Sequence, residues 1–262
     1  MEFTGEMFKT NTRLRHSGML TAAFTRYDLV VIVAIVAALV ALSMQASRVY
    51  REDVRRTACR ANLGKIGDAL RLFADDNLGA LPDCSRSNRV FSGRGWPWDL
   101  NTNLVTELEK RGATRASLYC PSNPDLGDKY HWDFPKYDKR RTVRIVGYNF
   151  LLNGIGAIPE DLRRTNLWNI GATPPAQAEL VTDAVACTGE SAENTMDAMV
   201  ANRCDYTKII GLWTDRTSHL RGWIAEIRPA GGNILFDDQH VEWRDFHQMK
   251  HRFATGNIIW DF

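Results

Sequence analysis

Leu29–Met44, LVVIVAIVAALVALSM, is the stretch whose reading decides the fold. It is apolar except for Ser43, and it is the one run in the sequence that can span a bilayer. At 1.5 Å per residue it covers about 24 Å of a hydrocarbon core about 30 Å thick. Extending it from Tyr27 to Ala46 closes the gap and brings in Asp28 and Gln45. A single charge near the end of a span is tolerated when it reaches the headgroups or meets a partner.

Beyond the span no helix breaker follows: the first Pro is Pro82, and no Gly lies between Gly18 and Gly64. Apolar residues recur at Cys59, Leu63, Ile66, Leu70 and Phe73, one stripe at helical spacing. Gly64 and Gly67 each cost about 1 kcal/mol in a helix interior, which points to close packing there. Asn77, Gly79 and Pro82 end the run. The spacing predicts one helix from about Phe24 to Asp76, its first half in lipid and its second half on a soluble domain. A cleaved secretory signal, cut after Ala41-Leu42-Ser43, is the competing reading, and the unbroken helical continuation speaks against it. Charge does not set the orientation. Lys9, Arg13, Arg15 and Arg26 precede the span, but six basic residues from Arg48 to Lys65 follow it and lean towards a cytoplasmic C-terminal side.

The 33 basic residues nearly balance the 31 acidic ones, so charge gives no reason to expect nucleic acid as a partner. A hydrophobic content of 44% is that of a folded chain, and all 8 Trp lie beyond residue 95, where they can fill a core. Cys59, Cys84, Cys120, Cys187 and Cys204 include no C-x-x-C pair, so zinc-knuckle and thioredoxin readings have no support. All five are disulfide candidates outside the cytoplasm, and their odd number leaves at least one thiol over. Their connectivity stays open.

Residues 83–142 read as turns around a short helix, Leu104 to Lys110, stopped by Gly112. Asp125 to Arg144 reads as an exposed loop. Strands are expected at Val143–Phe150, Ala178–Val185, Ile209–Trp213 and Trp223–Ile227, and in a hairpin with arms Gly232–Phe236 and Val241–Trp243. A further helix is expected over Glu190–Arg203. Several short strands after one long helix predict an α+β fold with a mainly antiparallel sheet and loop insertions.

The segment Ala23-Phe24-Thr25-Arg26-Tyr27-Asp28-Leu29 resembles the prepilin cleavage and methylation site of type IV pilins and type II secretion pseudopilins. Arg55 to Pro82 is similar to the continuation in G-type pseudopilin-like proteins. Cys120-Pro121-Ser122, Gly147-Tyr148-Asn149 and Gly231 to Trp243 resemble the group's CPS, GYN and H-x9-DG elements. The chain departs from those patterns at Ala23 for Gly, Asp28 for Glu, Arg228 for His and Gln239 for Gly, and carries Arg26 and Tyr27 where the family is apolar. The resemblance implies a pilin-like fold in three parts: a leader at 1–23, a transmembrane segment at 24–46, and an extracytoplasmic α+β domain at 47–262. It implies cleavage at Ala23–Phe24 by a prepilin peptidase, methylation of Phe24, and a place in the bacterial cytoplasmic membrane with a cytoplasmic N-terminus. Other pilin-like subunits, copies of itself and a secretion apparatus are the implied partners.

Asp28 takes the family's acidic position, where it would pair with the Phe24 amino group of a neighbouring subunit; the alternative is a local pair with Arg26. Asp237, Asp238 and His240 are the most metal-like cluster in the sequence, and calcium near C-terminal loops is what the resemblance would supply. The hairpin alone explains them, with Gln239 at an awkward left-handed position, so no metal or other cofactor is expected. His247 and His251 could share a helix face, but Gln248 stands where a zinc-protease motif needs Glu. No neighbour in sequence activates Cys120 as a nucleophile. The expected function is a non-enzymatic pseudopilin-like subunit of a type II secretion or type IV pilus-like apparatus. The alternative is a membrane-anchored extracytoplasmic binding protein; an anchored hydrolase using Asp237, Asp238 and His240 ranks last.

Overall fold

The computed structural model describes residues 25–84, 95–123, 126–127, 129–133, 143–167, 178–189, 204–207, 217–221, 227–255 and 258–262, without the side chains of 45, 48, 49 and 129. The leader, Ala23 and Phe24 lie outside them, as do the helix expected at 190–203 and the strand expected at 209–213. Of the strand expected at Trp223–Ile227, only Ile227 is described, and it is not in a strand. The chain divides into two units, Met1–Ser47 and Arg48–Phe262.

Helix α1 runs from Arg26 to Asp76. In the first unit, Arg26–Met44 is apolar, long enough to cross a membrane, and wholly exposed. Thr25 and Asp28 open the helix as a reciprocal cap: Thr25 N and Oγ1 each donate to Asp28 Oδ2 at 2.8 Å, and Asp28 N donates to Thr25 Oγ1 at 3.2 Å. Asp28 therefore finds its local partner in Thr25, where the sequence suggested Arg26.

In the second unit, α1 buries Cys59, Leu63, Ile66, Ala69, Leu70 and Ala74, the expected stripe, with Phe73 half-buried. The helix stops where Leu78 and Gly79 turn to φ 56° and 84°, and Gly79 N closes onto Ala74 O at 2.8 Å.

Four antiparallel strands lie in the order β3 (Tyr148–Phe150), β4 (Glu179–Asp183), β8 (Gly231–Phe236), β9 (Val241–Asp245). Every residue of β8 is buried. Gly67 of α1 lies against this sheet: a Cβ there would stand 2.7 Å from Gln239 Oε1 and 2.9 Å from Leu235 Cδ1. Gly64 has nothing comparable within 4 Å, so only one of the two helix glycines serves the close packing read from sequence. The expected β8–β9 hairpin is present, and Gln239 does sit left-handed, at φ 74°.

The three-stranded sheet β10 (His251–Thr255), β11 (Ile258–Asp261), β5 (Ala186–Thr188) adjoins through the chain itself, because β4 passes into β5 across Ala184 and Val185. Two pairs complete the described strands: β1 (Asp99–Asn101) with β2 (Val143–Ile145), and β6 (Leu220–Arg221) with β7 (Arg228–Pro229). Trp96, Trp98 and Trp260 form a triangle of indoles 5.6–5.8 Å apart, joining the β1 approach to β11.

Helix α2 (Thr102–Lys110) begins where Asn101 accepts from Asn103 N, and it ends beside Gly112, at φ 101°. The single strand expected over Val143–Phe150 is two, because Gly147 turns the chain from β1 as partner to β4. A side chain at 147 would meet Cys120 N and Tyr119 Cα at 2.9 Å. The loop expected to be exposed at Asp125–Arg144 contains a short helix, α3 (Lys129–Trp132), with His131 and Trp132 buried. The Arg144 and Arg115 guanidinium groups lie 4.3 and 5.4 Å from the Trp132 ring, which holds it in place. His247 and His251 do not share a helix: a 3-10 turn, Phe246–Gln248, precedes β10, which starts at His251.

Cys187 and Cys204 form a disulfide with Cα atoms 5.4 Å apart, Cys59 and Cys120 are buried free thiols, and Cys84 is buried.

Candidate functional site

Cys59 is on the buried stripe of α1, and Glu52 lies two turns earlier on the same face. Cys120 follows a 3-10 turn at Ala116–Leu118. Asp183 ends β4, directly across from Tyr148 of β3. His219 enters from the turn before β6, at φ 55°, a left-handed conformation uncommon outside glycine though histidine is among the residues that adopt it most readily. Ala184 O fixes that turn by accepting from Ser218 N and Thr217 Oγ1, both at 3.0 Å.

These four side chains meet in the interior. The donor atoms of Cys59, Cys120, Asp183 and His219 all lie within 4.8 Å of one another, and all four residues are buried. Cys59 Sγ is 2.8 Å from both Cys120 Sγ and Asp183 Oδ1. His219 Nε2 is 3.0 Å from Asp183 Oδ2 and 3.4 Å from Cys120 Sγ. Around them is a ring of supporting bonds. Asp183 Oδ2 accepts from Asn233 N at 2.6 Å and Asn233 Nδ2 at 3.0 Å. His219 Nδ1 lies 2.6 Å from Glu52 Oε1, and Ser122 Oγ donates to the Glu52 carboxylate at 3.1 Å. Tyr148 OH is 3.3 Å from Cys59 Sγ, and Trp243 meets the His219 ring edge to face at 5.1 Å.

Electrostatics follows from this packing. Burial opposes ionisation of Asp183, but His219 and the bonds from Cys59 and Asn233 outweigh it and hold the carboxyl below its ordinary range. Burial likewise opposes the His219 cation, and Cys120 and Asp183 reverse the balance, raising its pKa well above the usual value. The two thiols diverge. Burial and then Cys120 push Cys59 up, while Cys120, for all its burial, is drawn down by Cys59 and His219.

Two thiols, a carboxylate and an imidazole form a donor set for one metal ion. Cys120, His219 and Glu52 also follow a nucleophile, base and orienting-acid order. That chemistry needs a reacting atom about 3–3.5 Å from the sulfur. Cys59 Sγ stands in that space at 2.8 Å, and Cys120 is 1% exposed. A pocket of about 690 Å³ opens beside the outer face of Cys120, between Ala58, Asn62, Arg115, Tyr119 and Asn123.

Sequence reading assembled other residues. Asp237, Asp238 and His240 sit at the β8–β9 turn, where His240 N and Nδ1 both meet Asp238 Oδ1 and the His240 ring stacks on Phe236 at 4.3 Å. Asp237 is half-buried, and burial pushes its carboxyl up to about 7. Cys120 does have a histidine beside it, brought from 99 residues away, which local sequence could not show. Glu52, Asp183 and His219 were missed. Glu52 continues the α1 stripe, and Asp183 interrupts an apolar run, so each left a signal; His219 left none. Cys120–Ser122, Gly147–Asn149 and Gly231–Trp243 all reach this site, through Cys120 and Ser122, Tyr148, and Asn233 respectively.

Comparison with protein-family models, with curated proteins and with solved structures returns no match.

Proposed function

We propose that the chain is a non-enzymatic, pseudopilin-like subunit of a type II secretion or type IV pilus-like envelope apparatus. In this reading a prepilin peptidase cuts at Ala23–Phe24. Helix α1 then holds the protein in the cytoplasmic membrane, with the domain on the far side, and packs against pilin-like neighbours. The observation that carries the reading is α1 itself: an apolar, fully exposed stretch, Arg26–Met44, leads in one unbroken helix to a stripe buried against a sheet. A stretch that apolar without protein cover needs lipid or a like helix around it. Asp28, an acid inside the span, supports an assembling anchor, because such a group favours a partner in lipid.

Intact mass of the membrane-extracted protein tests this. The expected species starts at Phe24 and carries one added methyl group. A mass matching residues 1–262, or a start after Ser43, refutes it. The second reading, an anchored binding protein, is favoured by the pocket beside Cys120. It predicts membrane retention without association between subunits.

A further inference from the structure

We propose that Cys59, Cys120, Asp183 and His219 bind one zinc ion in a closed, structural site. Nothing in the pilin-like reading calls for it; the site is argued from the geometry alone.

Four protein donors within 4.8 Å of one another match the number that a structural zinc site uses. With bonds of about 2.3 Å to sulfur and about 2.0–2.1 Å to nitrogen and oxygen, tetrahedral edges run to about 3.3–3.8 Å. The observed separations from sulfur, 2.8 Å between Cys59 and Cys120 and to Asp183 Oδ1 and 3.4 Å to His219 Nε2, are shorter than those edges, so loading the site moves the donors apart, by about 1 Å for the two sulfurs. Two thiolates with an imidazole select a borderline-soft ion over calcium or magnesium, which take oxygen ligands.

The surrounding groups are those a metal site requires. A ligating histidine donates its second nitrogen to a carboxylate, and His219 Nδ1 has Glu52 Oε1 at 2.6 Å. Glu52 is in turn held by Ser122. Asp183 Oδ2 is taken up by Asn233, leaving Oδ1 on the cysteine side. Arg55, 3.9 Å from Glu52, and Arg56, its guanidinium 3.9 Å from the centre of the Trp243 ring, offset the negative charge of the loaded site.

A Cys59–Cys120 disulfide is the competing occupant of the same space. It would leave Asp183 Oδ1, fully buried, facing a sulfur with no proton to give, an uncompensated loss at a buried acceptor. The chain also carries an oxidised pair, Cys187–Cys204, so two free thiols in contact need protection from the same fate, and a metal supplies it.

The test uses the full chain, extracted in detergent, with metal content measured on the purified protein. About one zinc per chain is expected, falling at least tenfold in Cys120→Ser and in Cys59→Ser. Exchange with Co²⁺ in the parent protein is expected to show thiolate-to-cobalt charge transfer and tetrahedral ligand-field bands. Glu52→Gln, which keeps a hydrogen-bond acceptor for His219, is expected to weaken zinc binding about 10- to 100-fold. The cobalt spectrum needs no variant, so it decides the matter even where a cysteine variant fails to fold. Absence of thiolate charge transfer, equal zinc in the parent and Cys120→Ser, or a Cys59–Cys120 disulfide found by mapping alkylated peptides would each overturn the proposal.

Discussion

His219 Nδ1 lies 2.6 Å from Glu52 Oε1 although 167 residues separate them in the chain. The contact ties the turn before β6 to helix α1 and points the other ring nitrogen towards Cys120 and Asp183. Removing the acid leaves a buried imidazole ring without its acceptor on that side. Glu52→Ala is therefore expected to lower unfolding stability by about 3 kcal/mol, and Glu52→Gln by about 1 kcal/mol. Urea unfolding midpoints of the two variants against the parent measure the difference; equal midpoints would mean the contact is incidental.

Asp237 is predicted to make the protein less stable as pH rises. Its carboxyl is pushed from 3.8 to about 7, first by burial and further by Asp238, with Arg164 opposing. Between those values the folded state holds a proton that the unfolded chain has released. This stabilising contribution is fully present below about pH 4 and is lost as pH rises through about 7. Asp237→Asn should match the parent near pH 4 and exceed it at pH 8 by about 1–2 kcal/mol, a figure discounted for partial exposure. A constant difference across that range contradicts the assignment.

The two glycines of α1 are predicted to behave oppositely. Gly67→Ala places a methyl group 2.7–2.9 Å from Gln239 and Leu235, and should cost about 1–3 kcal/mol. Gly64→Ala meets nothing within 4 Å and should gain about 0.5–1 kcal/mol from helix propensity. Thermal melting of the pair shows whether the signs differ.

Gln239→Gly should stabilise the hairpin by about 0.5–1 kcal/mol, because Gln239 is held at φ 74°. The variant gives up one weak bond, from Gln239 Nε2 to Asp237 O at 3.3 Å. Chemical denaturation would expose a loss instead of a gain.

For Asp28, assembly makes its own prediction. Asp28→Ala should leave the protein in the membrane while cutting cross-linking between subunits at least several-fold, and Asp28→Glu should preserve it. Equal cross-linking in all three proteins would favour the anchor-only reading. The Thr25 cap is exposed in the single chain, so its loss alone should loosen only the first turn of the helix.

Periodicity made α1, its buried stripe, α2 and the β8–β9 hairpin legible in the sequence, because each is a local pattern repeated over several residues. Gln239 is left-handed as expected, but as the last residue of a three-residue loop, Asp237–Gln239, closed by Phe236 N to His240 O at 3.0 Å, rather than of a two-residue turn. The buried cluster was not legible. Cys59, Cys120, Asp183 and His219 come from a helix, a loop, a strand end and a turn, and no local spacing links them. Glu52 was hidden differently: seven residues before Cys59 it sits on the apolar face, where an acid reads as surface charge until its partner is known. Cys120–Ser122, Gly147–Asn149 and Gly231–Trp243 converge on the cluster, and nothing in their spacing along the chain says that they should.

The Cys187–Cys204 link closes a covalent ring around the intervening 17-residue separation. A protease that cuts once anywhere inside that ring releases no fragment. The nicked chain would migrate as intact on a non-reducing gel and separate into two pieces only after reduction. Digestion experiments on this protein therefore need both lanes, since an apparently resistant species could already be severed within the loop.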